Sequence, residues 1–286
     1  MKTWLSRVSL VMIVLTVHLV GGQVVMTQRA IPDDNLAYPV LITLNNGNGS
    51  GFYLQTAEAI YLVTAKHVLF DPVTHNLRAP TADVLSYARN PSDLGRNFGK
   101  LDLSVLQSDG NIKPHPSEDV AVVKIGLLQA DSSIGAKETR MELVRGVAFT
   151  ELVKSGLVTA PLEFVKTFDQ VLVGNDVILF GYPNSLGLEA SPQLDSHHPL
   201  LRKGIVAGTN PAKRSIVLDC ASYPGNSGGP VVELDRQALS TNIRIIGVVI
   251  EYVPFADAGR AQTFVILNNS GYSIATPMDF VLELVK

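Results

Sequence analysis

Short apolar runs broken by Gly, Pro, Asn and Asp recur along this chain from residue 40 to residue 276. Such segments are too short for helices and are rich in β-branched and aromatic residues, so they read as strands. Predicted strands cover residues 40–44, 51–54, 59–64, 101–106 and 120–125. A second group covers 161–166, 176–182, 204–208, 215–220, 229–233, 243–252, 263–267 and 272–276. Asn45-Asn46-Gly47-Asn48-Gly49 is a hairpin turn. The two groups predict an all-β fold of two barrels, over 23–126 and 161–286, with a linker over 127–160. Within that linker, residues 141–149 and 152–157 leave room for a short helix. Met278, Phe280, Val281 and Leu284 share one face of a closing helix over 277–286.

A composition of 46% hydrophobic and 17% charged residues supports a sizeable core and excludes a disordered chain. Net charge is −3, which leaves no basic footprint for nucleic acid. Residues 1–22 read separately. Lys2 and Arg7 precede an apolar run over 8–20, and Val20-Gly21-Gly22 offers small residues for cleavage. This is the pattern of a secretory signal peptide, with an uncleaved membrane tether as the alternative. Removing residues 1–22 leaves 21 basic against 26 acidic residues, a net charge of −5, and takes away Trp4, the single tryptophan. The single cysteine, Cys220, cannot form an intramolecular disulfide and reads as a small buried hydrophobe in its strand, the alternative being a reactive thiol.

Three segments carry chemistry. Tyr223-Pro224-Gly225-Asn226-Ser227-Gly228-Gly229-Pro230 places a serine between glycines, where the backbone can approach a substrate closely. There the amides of Gly225 and Ser227 can face one small space and receive an oxyanion. Tyr61-Leu62-Val63-Thr64-Ala65-Lys66-His67 is an apolar run that ends on a histidine where a strand meets its loop. Ser117-Glu118-Asp119-Val120-Ala121-Val122 puts a carboxylate at the start of an apolar strand. A serine hydroxyl needs a neighbouring base to become nucleophilic, and histidine titrates near neutrality. The order His67, Asp119, Ser227, each at a strand edge, supplies an alcohol, an imidazole and a carboxylate.

On Thr64-Ala65-Lys66-His67, Asp119-Val120-Ala121-Val122 and Gly225-Asn226-Ser227-Gly228-Gly229-Pro230 the chain resembles the chymotrypsin-like serine peptidases. It resembles in particular their bacterial members and the protease domain of the HtrA/Deg family. Gly49-Ser50-Gly51-Phe52, Gly181-Tyr182-Pro183 and Arg202-Lys203-Gly204-Ile205-Val206 add to the likeness, which runs from about residue 40 to residue 277. The resemblance implies two six-stranded-type barrels with the active site between them. It implies Ser227 as nucleophile, His67 as general base and then acid, and Asp119 as the group that holds the imidazole tautomer. The oxyanion hole would be the amides of Gly225 and Ser227, and no cofactor or metal is called for. The partner would be a protein or peptide substrate. Asn226 stands where digestive relatives carry the aspartate that pairs with a freed N-terminus, so no such activation is expected. Ile250 replaces the serine that supports the catalytic aspartate in animal relatives. Few cysteines point to a bacterial, periplasmic or secreted setting. About 59 residues follow Ser227, too few for the PDZ domain that Deg proteins often append.

By position, Ala221 and Ser222 would floor the substrate pocket, and Ile250, Glu251 and Tyr252 would line the cleft. With no acid at that floor, a small or medium uncharged residue is expected before the scissile bond. Tyr252 either narrows the pocket or swings clear. His197-His198 after Asp195 is an exposed loop rather than a metal site, and Asp71, His75, His115 and Glu118 read as loop polarity. The alternatives to an exported endopeptidase are a catalytically silent binding barrel and a serine hydrolase dedicated to one partner or an ester.

Overall fold

The computed structural model describes residues 31–93, 95–131, 138–184, 191–236, 241–257 and 266–286. The expected signal segment over 1–22 lies outside the described residues. The first half is one curled antiparallel sheet, apart from a short parallel strand. Its strands are β1 (Pro39–Leu44), β2 (Gly47–Gln55), β3 (Ala59–Thr64), β4 (Thr81–Tyr87), β5 (Arg96–Asp102), β6 (Ile112–Pro114), β7 (Ala121–Asp131), β8 (Glu138–Leu143), β9 (Val147–Glu151) and β10 (Thr159–Pro161). The order is β6-β7-β3-β2-β1-β4-β5-β9, with β8 on β7 and β10 on β2. The second half closes as a barrel, β11-β12-β13-β16-β15-β14. Its strands are β11 (Asp176–Gly181), β12 (Leu200–Asn210), β13 (Ser215–Asp219), β14 (Pro230–Arg236), β15 (Thr241–Asp257) and β16 (Ile266–Pro277). Helix α1 (Lys66–Leu69) follows β3, α2 (Leu103–Ser108) follows β5, and α3 (Met278–Leu284) follows β16. The architecture is chymotrypsin-like.

The unbroken apolar runs have a physical reason: the central strands are buried on both faces. All six residues of β3 are buried. With a side-chain period of two, Ile60 and Leu62 enter the first core while Ala59, Tyr61 and Val63 enter the seam between the halves. In β11, Val177 and Leu179 enter the second core and Ile178 and Phe180 enter the same seam. Strands β14 and β15 divide in the same way, and Met278 and Val281 of α3 close the seam from outside. Burial in this seam holds the two halves together, so a site built across it has a fixed frame.

Several expectations change. The strand expected over 101–106 ends at Asp102, and Leu103–Ser108 is α2 instead. Asp102 caps that helix, its Oδ1 accepting from Val105 N at 2.9 Å. Leu103 and Leu106 are buried at helical spacing, which the alternating apolar pattern concealed. The strand expected over 161–166 gives way to a tight turn over Leu162–Phe164, because Pro161 has no N–H to continue a ladder. The expected linker carries β8, β9 and β10 rather than a short helix. Met141, Val147 and Phe149 pack there against the first core. Finally, 266–277 is one strand where two were expected, and residues 263–265 lie outside the described set.

Candidate active site

His67 rides on α1, a single turn begun as soon as β3 ends. The turn is held by Phe70 N–H to Lys66 O at 2.8 Å and anchored by buried Val68 and Leu69. Asp119 lies in the connection from β6 to β7 and reaches across to it. Its Oδ2 is 2.6 Å from His67 Nδ1, and its Oδ1 accepts the His67 backbone N–H at 2.9 Å. Both carboxylate oxygens are therefore spent on one residue. An ionised carboxylate only accepts, so Nδ1 carries a proton, and in the neutral ring Nε2 then keeps its lone pair. Burial alone would raise the Asp119 carboxyl, but hydrogen bonds and charge from His67 outweigh it. The group is held below the usual carboxylate range.

Ser227 sits between β13 and β14, after a turn that the sequence shapes residue by residue. Asn226 N–H donates to Tyr223 O at 2.9 Å, with Pro224 second and Gly225 third at φ +91°. That is a type II turn, which needs glycine in the third place. Asn226 Oδ1 takes the Tyr223 N–H at 3.0 Å, closing the turn from the other side without a charged partner. Pro224 O is taken by Asn184 N–H at 2.9 Å, so the Gly225 N–H on that same peptide faces the opposite way. Neither the Gly225 nor the Ser227 N–H donates to any described residue. Ser227 Oγ donates to Ile250 O over a long 3.4 Å rather than to His67.

Ser50 on β2 fastens this turn to the first half. Fully buried, it gives its N–H to Ser227 O at 2.8 Å and its hydroxyl to Gly225 O at 2.7 Å. The same hydroxyl accepts from Tyr182 N at 2.9 Å, and Ser50 O accepts from Thr64 Oγ1 at 2.7 Å. Gly228 meets this cluster so closely that a Cβ would stand 2.0 Å from Ser50 O.

A cleft of about 950 Å³ brings the pieces together: His67, Asp119 and Ser227 all line it. A family model described as a trypsin-like peptidase domain matches residues 49–239, a span that contains all three. The chain belongs to the trypsin-like peptidase family. No curated protein matches it. Among solved structures it is similar to an HtrA-type protease, AlgW with a tripeptide, at 19% identity and a TM-score of 0.45 over 87% of this chain. It spans 58% of the length of that AlgW chain. It is likewise similar to Deg5, at 19% identity and a TM-score of 0.44, over 87% of this chain and 88% of that one.

The cleft is also lined by Ser222, Gly225, Ile250, Glu251 and Tyr252. Ala221 is not among the lining residues. Ser222 is buried and takes a 2.5 Å hydrogen bond from Asn269 Nδ2 on its carbonyl. Ile250 is the extra residue of a bulge, since β15 and β16 slip register between Val249 and Glu251. The bulge turns its side chain onto the first core. Glu251 and Tyr252 stay exposed. His197 and His198 are exposed, both pair with Asp195, and His198 stacks on Tyr87 with ring centroids 4.6 Å apart. Cys220 is buried, and burial pushes its thiol up to about 11.

Sequence reasoning passed over Ser50, Thr64 and Asn184 as individual groups and read His115 as loop polarity; it is 5% exposed. The available signals were the flanking glycines of Ser50 and the flanking prolines of His115.

Proposed function

We propose that this chain is an exported serine endopeptidase that cleaves peptide bonds through an acyl-enzyme on Ser227. The observation that carries the reading is the doubly bonded Asp119–His67 pair, 2.6 and 2.9 Å, on the wall of the cleft that also holds Ser227. The serine hydroxyl turns from Ile250 O toward His67 Nε2, which takes its proton as Oγ attacks the scissile carbonyl carbon. The Nδ1 proton stays on the ring, and the Asp119 carboxylate stabilises the imidazolium that forms. The carbonyl oxygen, now negative, is received by the Gly225 and Ser227 N–H groups, each a contribution of roughly 3–4 kcal/mol. Collapse expels the amine, which leaves with the proton from Nε2. Water then attacks the ester by the same route, and Ser227 is restored.

Export rests on the sequence pattern of residues 1–22, with the protein acting in a periplasmic or secreted setting. Processed protein lacks Trp4 and therefore has no tryptophan emission. The residues expected at the floor of the substrate pocket, Ala221 and Ser222, carry no charge, which favours a small or medium uncharged residue before the scissile bond.

Labelling with a fluorophosphonate probe tests the reading. Wild type is expected to label and Ser227→Ala is not. Hydrolysis of casein or a peptide library then separates a general endopeptidase from a hydrolase dedicated to one partner. Folded wild type that neither labels nor hydrolyses would overturn the proposal in favour of a silent binding barrel.

A further inference from the structure

We propose that His115 is a positioning residue: it holds the loop that presents Asp119 to His67 and ties that pair to helix α3. The inference rests on the serine peptidase reading above. It starts from a deficit. Among the described residues, the only donors to the Asp119 carboxylate are the two on His67. The bond to the ring that Asp119 has to orient gives it no position, and the His67 backbone N–H fixes one oxygen alone. The nearby cleft residue Ile250 has an apolar side chain, which donates nothing. The remaining restraint on Asp119 comes through its own backbone, in the connection between β6 and β7.

His115 opens that connection, and every polar atom it has is engaged. Its N–H donates to Val120 O at 2.9 Å, which closes the loop at its base. Its Nδ1 accepts the Glu118 N–H at 3.0 Å and the Ser117 N–H at 3.3 Å. Acceptance by Nδ1 puts the ring proton on Nε2, and Nε2 donates to Glu283 Oε2 on α3 at 3.2 Å. Its carbonyl accepts from Lys66 Nζ at 2.9 Å, so the residue preceding His67 is fastened to the same point.

Bonds from one side chain to the N–H groups two and three residues later are what Asp and Asn make in turns. The imidazole does this and has a second nitrogen left for α3. Edge-on contact with Phe280, centroids 5.1 Å apart, wedges the buried ring between loop and helix. Removing the ring's acceptor would untie two loop N–H groups from the buried ring and free Asp119 to drift. A displacement near 1 Å in a reacting constellation can lower a rate by on the order of a hundredfold.

The test compares wild type with His115→Phe, His115→Asn and Glu283→Ala. Phenylalanine keeps a buried ring against Phe280 and loses both nitrogens; asparagine keeps the acceptor for Ser117 and Glu118. Proton NMR follows the deshielded His67 Nδ1–H signal, assigned by its loss in Asp119→Asn, while circular dichroism and thermal melting report folding. His115→Phe is expected to fold, to lose that signal, and to lower kcat about tenfold to a hundredfold with KM little changed. His115→Asn is expected to recover much of both, stopping short of wild type by the severalfold effect of the lost bond to Glu283. Folded His115→Phe with the wild-type signal and kcat would overturn the proposal. Should that variant fail to fold, Glu283→Ala decides: a weakened signal and a severalfold lower kcat support the role, and wild-type values refute it. If wild type shows the signal but never labels with fluorophosphonate, the peptidase reading fails, while the NMR comparison still judges His115.

Discussion

Replacing Ser50 with alanine tests how firmly the first half grips the Ser227 turn. The substitution leaves the backbone bonds of residue 50 in place and deletes only a hydroxyl. That hydroxyl serves two groups: it donates to Gly225 O at 2.7 Å and accepts from Tyr182 N at 2.9 Å. Ser50 is fully buried, so water cannot take its place without rearrangement. An unsatisfied buried donor or acceptor costs about 1–3 kcal/mol. With two such groups, the expected loss is about 3–4 kcal/mol, since the carbonyl tolerates its deficit better than the amide. For a protein of this size that loss corresponds to a fall in Tm of about 6–15 °C. Urea denaturation followed by circular dichroism reads the stability directly. Activity should fall with it by about tenfold or more, because Gly225 carries the amide proposed to receive the oxyanion. A stability loss below about 1 kcal/mol would refute the reasoning, since it would mean that neither group depends on the hydroxyl.

Three further outcomes follow from the same geometry. Gly228→Ala places a Cβ 2.0 Å from Ser50 O and 2.2 Å from Thr64 Oγ1 at φ +91°; the expected cost is above about 4 kcal/mol, seen as failure to recover folded protein at yields that wild type reaches. Cys220, its thiol pushed up to about 11 by burial, should resist a disulfide reagent at mildly alkaline pH and react once denaturant is added; rapid reaction of the native protein would contradict the packing. Asp119 titrates lower in the folded chain than in the unfolded one. Its contribution to stability is therefore complete above the ordinary carboxylate value of about 3.9 and lost as pH falls through the lower folded value. The stability difference between wild type and Asp119→Asn should shrink across that acid window, as pH-dependent denaturation will show.

Where a strand is buried on both faces, its sequence says so without help from the rest of the chain. Ala59–Thr64 was expected to be a strand and is β3 with the same bounds. The misses fall where local patterns are ambiguous. Leu101, Leu103 and Val105 alternate like a strand, and only the Asp102 side chain capping Val105 turns the last part into α2. Strands β8 and β9 have one face on the first core and the other toward solvent. Their weaker apolar signal gave way to an expected linker with a helix. The extra residue at Ile250 likewise leaves no local mark, because a bulge is a property of the pairing between β15 and β16.

The candidate site divides along the same line. His67, Asp119 and Ser227 each occupy a strand edge, and their residue types carry their chemistry, so an ordered reading along the chain finds them. Their supports are made by bonds that span the molecule: Ser50 to Gly225 across 175 residues, His115 to Glu283 across 168. Such pairs have no period, and a serine between glycines or a histidine between prolines reads as turn polarity until its partners are known. Burial separates the two meanings. A polar side chain on a solvated loop can exchange partners with water at little cost, whereas Ser50 and His115 are buried and cannot. Each therefore has to be matched by groups that the fold delivers. Here the fold delivers them from the turn before Ser227 and from the last helix, so the reactive groups are held by segments at the far end of the chain.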